Sequence, residues 1–501
     1  MSLAKFREEP WKSSHEAYSS SVLAMTPAPE YASSEVILAS LYRVVGFRGL
    51  SEGAVPQQGR DLDKEIQKFR NRRRERDGAA LDPDSFHMML HSALESPKLP
   101  NQSSKRFLQV TPLVPQAAAF SGSARLAGNP WSAGSLVRRM VWLGSEDAGA
   151  AQAIWASLFS ALSVDDDDDV FARFLQREIG GWVASREWQQ VPPGDVGSLS
   201  PTDRAGLSYP ARQFTHDLVS VLGAKGAMTR RQWTSLLEAI LRIGTVSHVV
   251  WLCDVHDRAW AAARAALAGG GPTTIEEARS AMFPATFSYL SYGDRALPAI
   301  KDRASSFLQS RIGINAVLWA LEDAGTAFEG DLGSAAGMLA LCEAIRRAPT
   351  ALDRPGLLET VEEVQERENR AILCRKGIGS NIMEFARHVL GQRQAASDIL
   401  RGYDQGYALR KKGPSKSSPW VVGLGPVAVL ALVHCSLAGT TGPRSVRRLA
   451  QHLASYGISI DHRDIAQNDL GSQLRMLGLV LDSPDAESGM LLVPPFTEPA
   501  A

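Results

Sequence analysis

Glutamate and histidine side chains at helical spacing are the residues of this sequence best suited to acid–base chemistry. Glu384 and His388 lie four residues apart in the segment NIMEFARHVL and share one face of a predicted helix. Glu343 precedes them in MLALCEAIRRA. A carboxylate beside an imidazole can transfer protons, although the same pair also forms structural hydrogen bonds inside helical cores. Glu343, Glu384 and His388 are therefore candidate catalytic residues, with the structural role left open.

Two other pairs of reactive side chains are better explained by helix packing. His87 and His91 share a predicted helix face, but Met88 stands where a zinc-protease motif needs its glutamate. Cys253 and His256 lie in an apolar segment that is typical of a buried helix. The chain also lacks the glycine-rich phosphate loop, the nucleophile elbow and the dinucleotide fingerprint. We therefore expect no metal and no cofactor, and we favour a protein without catalytic activity.

Any binding of nucleic acid has to use local charge, because the 501-residue chain has 54 Lys and Arg residues against 54 Asp and Glu residues. Residues 64–76 and 372–416 are locally basic and could hold a nucleic-acid backbone, or pair with acidic residues elsewhere. Tyr403 and Tyr407 interleave with the second segment, and aromatic side chains beside arginines suit contact with a strand. The candidate nucleic-acid-binding residues of these segments are Lys68, Arg70, Arg72, Arg73, Arg74, Arg76, Arg410, Lys411, Lys412 and Lys416.

Helical periodicity dominates the chain and predicts a mainly α fold with an irregular multi-helix body. Thr229 and Gln232 form a predicted capping box, and the aspartates at 165–169 favour the helix that follows them. Strand signals are confined to residues 107–114 and to 480–481 with 490–493. Predicted helices span residues 34–45, 83–94, 149–162, 170–183, 229–243, 246–267, 274–282, 300–311, 314–328, 334–348 and 355–374.

Proline, glycine and serine mark the predicted domain boundaries. Residues 192–201 (PPGDVGSLSP) form a strong break, and residues 411–419 (KKGPSKSSP) have the composition of a linker. We therefore predict four parts. They are an N-terminal helical region (1–110), a helical segment with a short strand (111–200), a central helical domain (201–410) and a C-terminal module (420–501).

The C-terminal module has the most recognisable order of elements. Predicted helices at 426–437, 443–456 and 461–477 are followed by two short apolar runs around an Asp- and Gly-containing turn, which predicts a hairpin. Three helices and a hairpin in this order resemble a winged helix-turn-helix domain. The resemblance implies a third helix in the DNA major groove. It implies groove-facing roles for Arg463, Gln467, Asn468, Gln473 and Arg475, and positions near the DNA backbone for Arg444, Arg447 and Arg448.

The charge of this module also fits a different role. Its arginines do not outnumber its acidic residues, which include Asp464, Asp469, Asp485 and Glu487. Because DNA affinity depends mainly on neutralising phosphates, the module brings no net electrostatic attraction. Packing within the protein or docking of a partner protein therefore stays open beside DNA contact.

Large helical bacterial proteins that end in a winged helix and lack their own motor or nuclease motif resemble accessory subunits of anti-phage defence or DNA-processing systems. This resemblance implies a non-catalytic subunit that binds double-stranded DNA and docks protein partners carrying motor or nuclease activity. The alternatives are an enzyme of unrecognised class with its site near Glu343, Glu384 and His388, and a purely protein-binding helical scaffold.

The compartment follows from cysteine usage and hydropathy. The four cysteines are far apart and form no CxxC pair, which is typical of a reducing compartment. The N-terminus lacks an apolar core of signal-peptide length, and glycine, proline and histidine interrupt the longest apolar run, 420–438. We expect a cytoplasmic protein without a membrane partner.

Overall fold

The chain folds mainly into α-helices, which confirms the prediction from periodicity. The computed structural model describes residues 2–25, 34–49, 64, 67–68, 83–94, 96, 111–120, 133–179, 187–194, 201–284, 286–326, 328–348, 352–375, 377–394, 404–415, 417–442, 444–482 and 490–496. The first nine helices are α1 (Leu3–Glu8), α2 (Glu16–Ser19), α3 (Ser34–Gly46), α4 (Pro83–Leu94), α5 (Ala133–Gly144), α6 (Ala148–Leu162), α7 (Val170–Ile179), α8 (Pro201–Leu207) and α9 (Ala211–Gly223).

The remaining helices are α10 (Arg230–Leu267), α11 (Ile275–Met282), α12 (Ala296–Asp323), α13 (Ala335–Arg347), α14 (Arg354–Arg367), α15 (Asn369–Leu373), α16 (Gly379–Leu390), α17 (Pro426–Leu437), α18 (Val446–Ala454) and α19 (Asp469–Met476). Among them, the long α10 is central and packs on α11, α12, α13, α14, α16 and α17, as well as on α3, α5 and α9. Short 3-10 helices cover Pro115–Phe120, Lys225–Ala227 and Ile465–Gln467.

Three two-stranded sheets complete the described fold. Strand β1 (Leu290–Ser291) pairs in parallel with β4 (Ile458–Ser459). Strand β2 (Leu409–Lys411) pairs antiparallel with β3 (Trp420–Val422), and β5 (Val480–Asp482) pairs antiparallel with β6 (Met490–Leu492). The hairpin predicted near residues 480 and 490 is thereby confirmed. The strand predicted at 107–114 is not found in its described part, because residues 111–114 lead directly into a 3-10 helix.

Helix α10 is continuous where the sequence analysis predicted two helices. It starts at the predicted capping box, in which the Thr229 side chain accepts from the Gln232 backbone. Gly244 and Thr245, at the predicted break, continue the helix because no proline interrupts its hydrogen bonds. A Cβ atom on Gly244 would collide with the Phe214 ring, so this glycine serves close packing of α9 rather than a turn.

Helix α12 is also a single helix where two were predicted, at 300–311 and 314–328. A Cβ atom on Gly313, at the predicted break, would lie 2.6 Å from the Trp260 ring. The glycine therefore lets α12 approach α10 closely, and the missing Cβ is a packing feature.

Among the described helices, α10 alone is long and apolar enough to cross a membrane, but 94% of its most apolar window is buried within the protein.

Two buried arginines of α10 bind the ends of neighbouring helices. The Arg230 guanidinium donates to the Ser163 carbonyl (3.0 Å), to the Leu162 carbonyl and to Asp168 (3.0 Å) at the C-terminal end of α6. The last carbonyls of a helix have no partner within it, so a guanidinium placed there satisfies them.

Asp169 caps α7 by accepting from the Ala172 backbone, which confirms the predicted role of the acidic run.

Arg242 makes the same kind of contact at the end of α16. Its Nε donates to the Val389 carbonyl (2.6 Å), and its Nη2 donates to the Gly391 carbonyl (3.0 Å). Its two Nη atoms form a bidentate ion pair with Asp404 at 2.7 and 3.2 Å. Both side chains of this pair are completely buried. Arg242 thus fixes the C-terminus of α16 and the segment that leads into β2.

The segment predicted to link two domains is the turn of a hairpin. Leu409, Arg410 and Lys411 pair with Val422, Val421 and Trp420, and the Lys412 backbone donates to the Pro419 carbonyl. The polar composition of the segment therefore reflects an exposed turn. One hydrophobic core runs from Phe6 to Leu492 without a gap at the predicted boundary near residue 410.

We expect Arg242→Met to lower the free energy of unfolding by about 3–5 kcal/mol, because the buried Asp404 carboxylate would lose the guanidinium that neutralises its charge. The matched control is Arg264→Met on the same helix, since Arg264 pairs with Glu362 at 59% and 62% side-chain exposure. An exposed pair contributes about 0–1 kcal/mol. Urea denaturation followed by circular dichroism measures both variants, and equal shifts would contradict the role given to Arg242.

Candidate nucleic-acid interface

Three elements that are distant in the sequence form the walls of one surface groove. The start of α12 is joined to β3, because Gly293 donates to the Val422 carbonyl and Val422 donates to the Asp294 carbonyl. The end of α16 is joined to β2, because Gln392 donates to the Leu409 carbonyl (2.7 Å). The hairpin β2–β3 thus lies between the two helices and closes the groove.

The groove has a volume of about 1000 Å³ and is lined by cationic, hydrogen-bonding and apolar side chains. Arg295 caps the start of α12, and Arg375 lies in the turn between α15 and α16. Both are exposed, and within the described part of the chain neither guanidinium has a hydrogen bond or an ion pair. Further lining comes from Leu297, Pro298, Ser380, Asn381, Met383, Glu384, Arg387, Ser417, Ser418, Pro419 and Trp420.

Glu384 is the one acidic residue among the described lining residues, and its charge is already bound. Arg387 forms an ion pair with it, and His388 Nε2 lies 3.4 Å from its carboxylate. Burial disfavours the charged carboxyl, but the hydrogen bonds from His388 and Arg387 and the arginine charge outweigh it and lower the pKa of Glu384. The carboxyl is therefore ionised at neutral pH and acts as a partner for the Arg387 guanidinium and the His388 ring.

The structure does not bring the third candidate catalytic residue into this groove. Glu343 lies on α13, which packs on α10 and α11, and it forms an ion pair with Arg347 one turn later. The groove residue Glu384 and its neighbour His388 lie on α16, which packs on α12 and α15. The buried pair Cys253 and His256 is also unsuited to nucleophilic chemistry. Burial raises the pKa of Cys253 and lowers that of His256 to about 4.

Alternation along β2 separates its basic residues onto two sides. The Lys411 ammonium lies 5.8 Å from the centre of the Trp420 ring, at the groove. The Arg410 side chain instead forms a 2.6 Å ion pair with Asp469, the first residue of α19. Lys412 is exposed in the following turn. Arg410 therefore connects the body to the C-terminal module, whereas Lys411 lies beside the Trp420 ring.

Several predicted nucleic-acid-binding residues lie outside the described residues. In the first basic segment the structure describes Lys64 and Lys68, and both are exposed. The residues outside the described ranges are Arg70, Arg72, Arg73, Arg74, Arg76 and Lys416. Their placement at an interface stays a prediction.

The C-terminal module has its elements in the predicted order, with one shorter helix. Residues 461–477 form a 3-10 turn and then α19, because the Asn468 side chain accepts from Leu470 and Gly471 and caps a new helix. Ser445 forms an antiparallel bridge with Leu491, which ties the start of α18 to the hairpin. Arg444, Arg447, Arg463 and Gln467 are exposed, and Arg448 is half-buried.

The face of α19 offers little unpaired positive charge. Arg475 donates to Asp482 at 3.1 and 3.3 Å and to the Ala466 carbonyl, so its guanidinium is held along the module surface. Met476 and Leu481 lie near it and expose 72% and 63% of their areas. This part of the module therefore combines a neutralised arginine with exposed apolar side chains.

A buried carboxylate attaches the module to the body. Asp217 of α9 accepts from Tyr456 Oη at 2.6 Å, lies 2.8 Å from His452 Nε2, and accepts from Gln213 at 2.8 Å. Burial and the charge of Asp217 raise the pKa of Tyr456 well above its usual value, so the hydroxyl stays protonated and donates. The parallel pairing of β1 with β4 adds backbone bonds between the same two parts.

A second, more enclosed cavity of about 510 Å³ lies between α3, α10 and α17. Its polar lining includes Glu35 and Asp404, which form buried ion pairs with Arg393 and Arg242. Carboxylates at its wall do not favour a polyanion. The cationic groove beside β3 is therefore the better candidate interface for nucleic acid.

Sequence reasoning missed Arg295, Ser380, Asn381 and Trp420 as site residues. Arg295 stands outside both basic segments, and only its backbone bridge to Val421 brings it beside the hairpin. Trp420 did have a local signal, since it follows a turn rich in lysine and serine.

No family model, no curated protein and no solved structure shows significant similarity to this chain.

Removal of the Asp217 carboxylate is expected to loosen the module. Asp217→Ala leaves the Tyr456 hydroxyl and the His452 ring without their acceptor, which costs about 1–3 kcal/mol. Amide hydrogen exchange in α18 should accelerate more than exchange in α12. Asp461→Ala, at an exposed aspartate of the module, is the control. Unchanged exchange in α18 for Asp217→Ala would refute this attachment.

Proposed function

We propose that this protein is a non-catalytic DNA-associated accessory subunit of a bacterial defence or DNA-processing complex. The observation that supports this most directly is the groove between α12, α16 and β2–β3. Arg295 and Arg375 line it, and neither guanidinium has a partner within the described residues. Guanidinium groups without intramolecular partners are suited to phosphate oxygens, which they bind in bidentate fashion.

The three buried free cysteines, Cys253, Cys342 and Cys435, are consistent with a reducing cytoplasm. The order of helices and hairpin in the C-terminal module supports the proposed winged-helix role. Because α19 has its arginine paired with Asp482 while Met476 and Leu481 are exposed, we assign this face to a protein partner. Exposed apolar side chains beside neutralised charges are more typical of protein contacts than of phosphate contacts. Motor or nuclease activity would belong to that partner.

The arginines of the groove provide the test for DNA binding. We expect Arg295→Ala/Arg375→Ala to weaken binding of labelled DNA, tested both as a single strand and as a duplex, about tenfold at low salt for whichever form binds. Each lost phosphate contact should also reduce the slope of log affinity against log salt by about 0.7 for a single strand or about 0.9 for a duplex. Fluorescence anisotropy across a salt series measures both quantities.

Arg7→Ala/Arg264→Ala is the matched control, because it removes two exposed arginines from another surface. This control should bind as the unmodified protein does. Absence of binding by the unmodified protein at low salt would favour the scaffold function. Equal losses in both double variants would contradict the position of the interface.

Glu384→Gln separates DNA binding from the enzymatic alternative. It removes the acidic charge of the groove and leaves Arg387 without an ionic partner, so DNA affinity should rise about fivefold, as expected for about 1 kcal/mol of relieved repulsion. The same anisotropy assay detects this rise. A substitution that left DNA affinity unchanged but abolished function of the assembled complex would instead support acid–base chemistry at Glu384 and His388.

A further inference from the structure

We propose that the groove takes a single nucleic-acid strand rather than a duplex, with a base stacked on the Trp420 ring and phosphates at Arg295 and Arg375. This inference rests on the proposed function, because it names the form of nucleic acid that the same site accepts. Its starting point is the combination of a concave shape, unpaired guanidinium groups and one aromatic ring.

The shape of the site disfavours a duplex. A volume of about 1000 Å³ is that of a cleft for a ligand of small-molecule size. The major groove of B-DNA alone is about 12 Å wide, and a duplex presents its phosphates on a convex rod. Walls from α12, α16 and the β2–β3 hairpin would keep such a rod outside. A flexible strand can enter with successive nucleotides.

The Trp420 ring is the surface on which a base can stack. The tryptophan lines the groove and is half-buried, so part of its ring faces the cleft. A Cβ atom on Gly391 would lie only 3.1–3.2 Å from this ring, so the glycine lets the ring pack against the end of α16. A ring held in this way is preorganised for stacking. Bases inside a duplex are already stacked on each other and have no free face for it.

The remaining lining supplies groups for a sugar–phosphate backbone. Arg295 and Arg375 reach the groove from two different elements, so they can contact separate phosphates. Ser417 and Ser418 provide hydroxyl groups from the turn of the hairpin. Basic groups that follow the backbone together with an aromatic platform are the combination by which proteins bind single strands without sequence preference.

The Lys301 ammonium keeps the turn with Arg375 beside the groove. It donates to the Leu373 carbonyl at 2.7 Å, at the C-terminal end of α15. A Cβ atom on Gly377 would collide with the Ala371 carbonyl, so Gly377 packs closely against the end of α15 just before α16 begins. Arg375 is thus exposed on a fixed turn, and its guanidinium can bind phosphate without a large rearrangement of the backbone.

The test compares a labelled oligothymidylate with a duplex of equal length, using the full chain and fluorescence anisotropy. We expect the single strand to bind at least tenfold more tightly. Trp420→Ala should weaken binding of the single strand about tenfold, the loss of one stacked base, and should leave duplex binding unchanged. Trp420→Phe retains a ring and should restore most of the affinity, which separates stacking from a folding defect.

The outcomes distinguish this inference from the proposed function. If neither nucleic acid binds at low salt, the proposed function fails and the inference fails with it. If Arg295→Ala/Arg375→Ala weakens binding while the duplex binds as tightly as the single strand, DNA association stands and the single-strand inference is overturned. It is also overturned if Trp420→Ala leaves the affinity for the oligothymidylate unchanged, or if Trp420→Phe binds no better than Trp420→Ala.

Discussion

The buried guanidinium of Arg242 is the interaction on which the candidate interface depends. It lies buried on α10 and satisfies the Val389 and Gly391 carbonyls at the end of α16, while Asp404 neutralises its charge. A buried ion pair of this kind adds little stability over an apolar contact, because both groups lose their hydration. Its main effect here is geometric. It fixes the direction in which the chain leaves α16 and enters β2, and hence where the hairpin meets the groove.

Arg230 makes the same kind of contact at the start of α10. Its guanidinium donates to the last carbonyls of α6 and to the Asp168 carboxylate. One central helix therefore holds two peripheral helices by their C-terminal ends, and each contact combines orphan carbonyls with an aspartate. Each of these buried arginines is matched by an aspartate, so their burial leaves the net charge of the surface unchanged. The fold uses some of its arginines in the core and leaves others, such as Arg295, at the surface.

Local signals predicted the parts of the fold that short-range physics determines. The capping box at Thr229, the capping aspartates before α7 and the helix–hairpin order of the C-terminus all follow from residues within a few positions of each other. Predictions that depended on distant contacts were wrong. Gly244 and Gly313 resembled helix breaks, yet they are sites where another helix approaches closely. The polar stretch after Lys411 resembled a linker, and pairing of its two ends turned it into a hairpin.

The same difference between local signals and distant contacts limits how much of the interface can be predicted from the sequence. The list of basic residues in 372–416 does not show which of them pair with acidic residues of the same chain in the folded protein. Arg393 is buried against Glu35 and Arg410 is bound to Asp469, whereas Arg375 remains exposed. Arg295 joins it only through pairing of the segment before α12 with β3. Local density of positive charge is therefore a poor guide to a polyanion site in a neutral protein. The better guide is where the cations lie that have no partner within the described residues, and two of these, Arg295 and Arg375, line one groove together with Trp420.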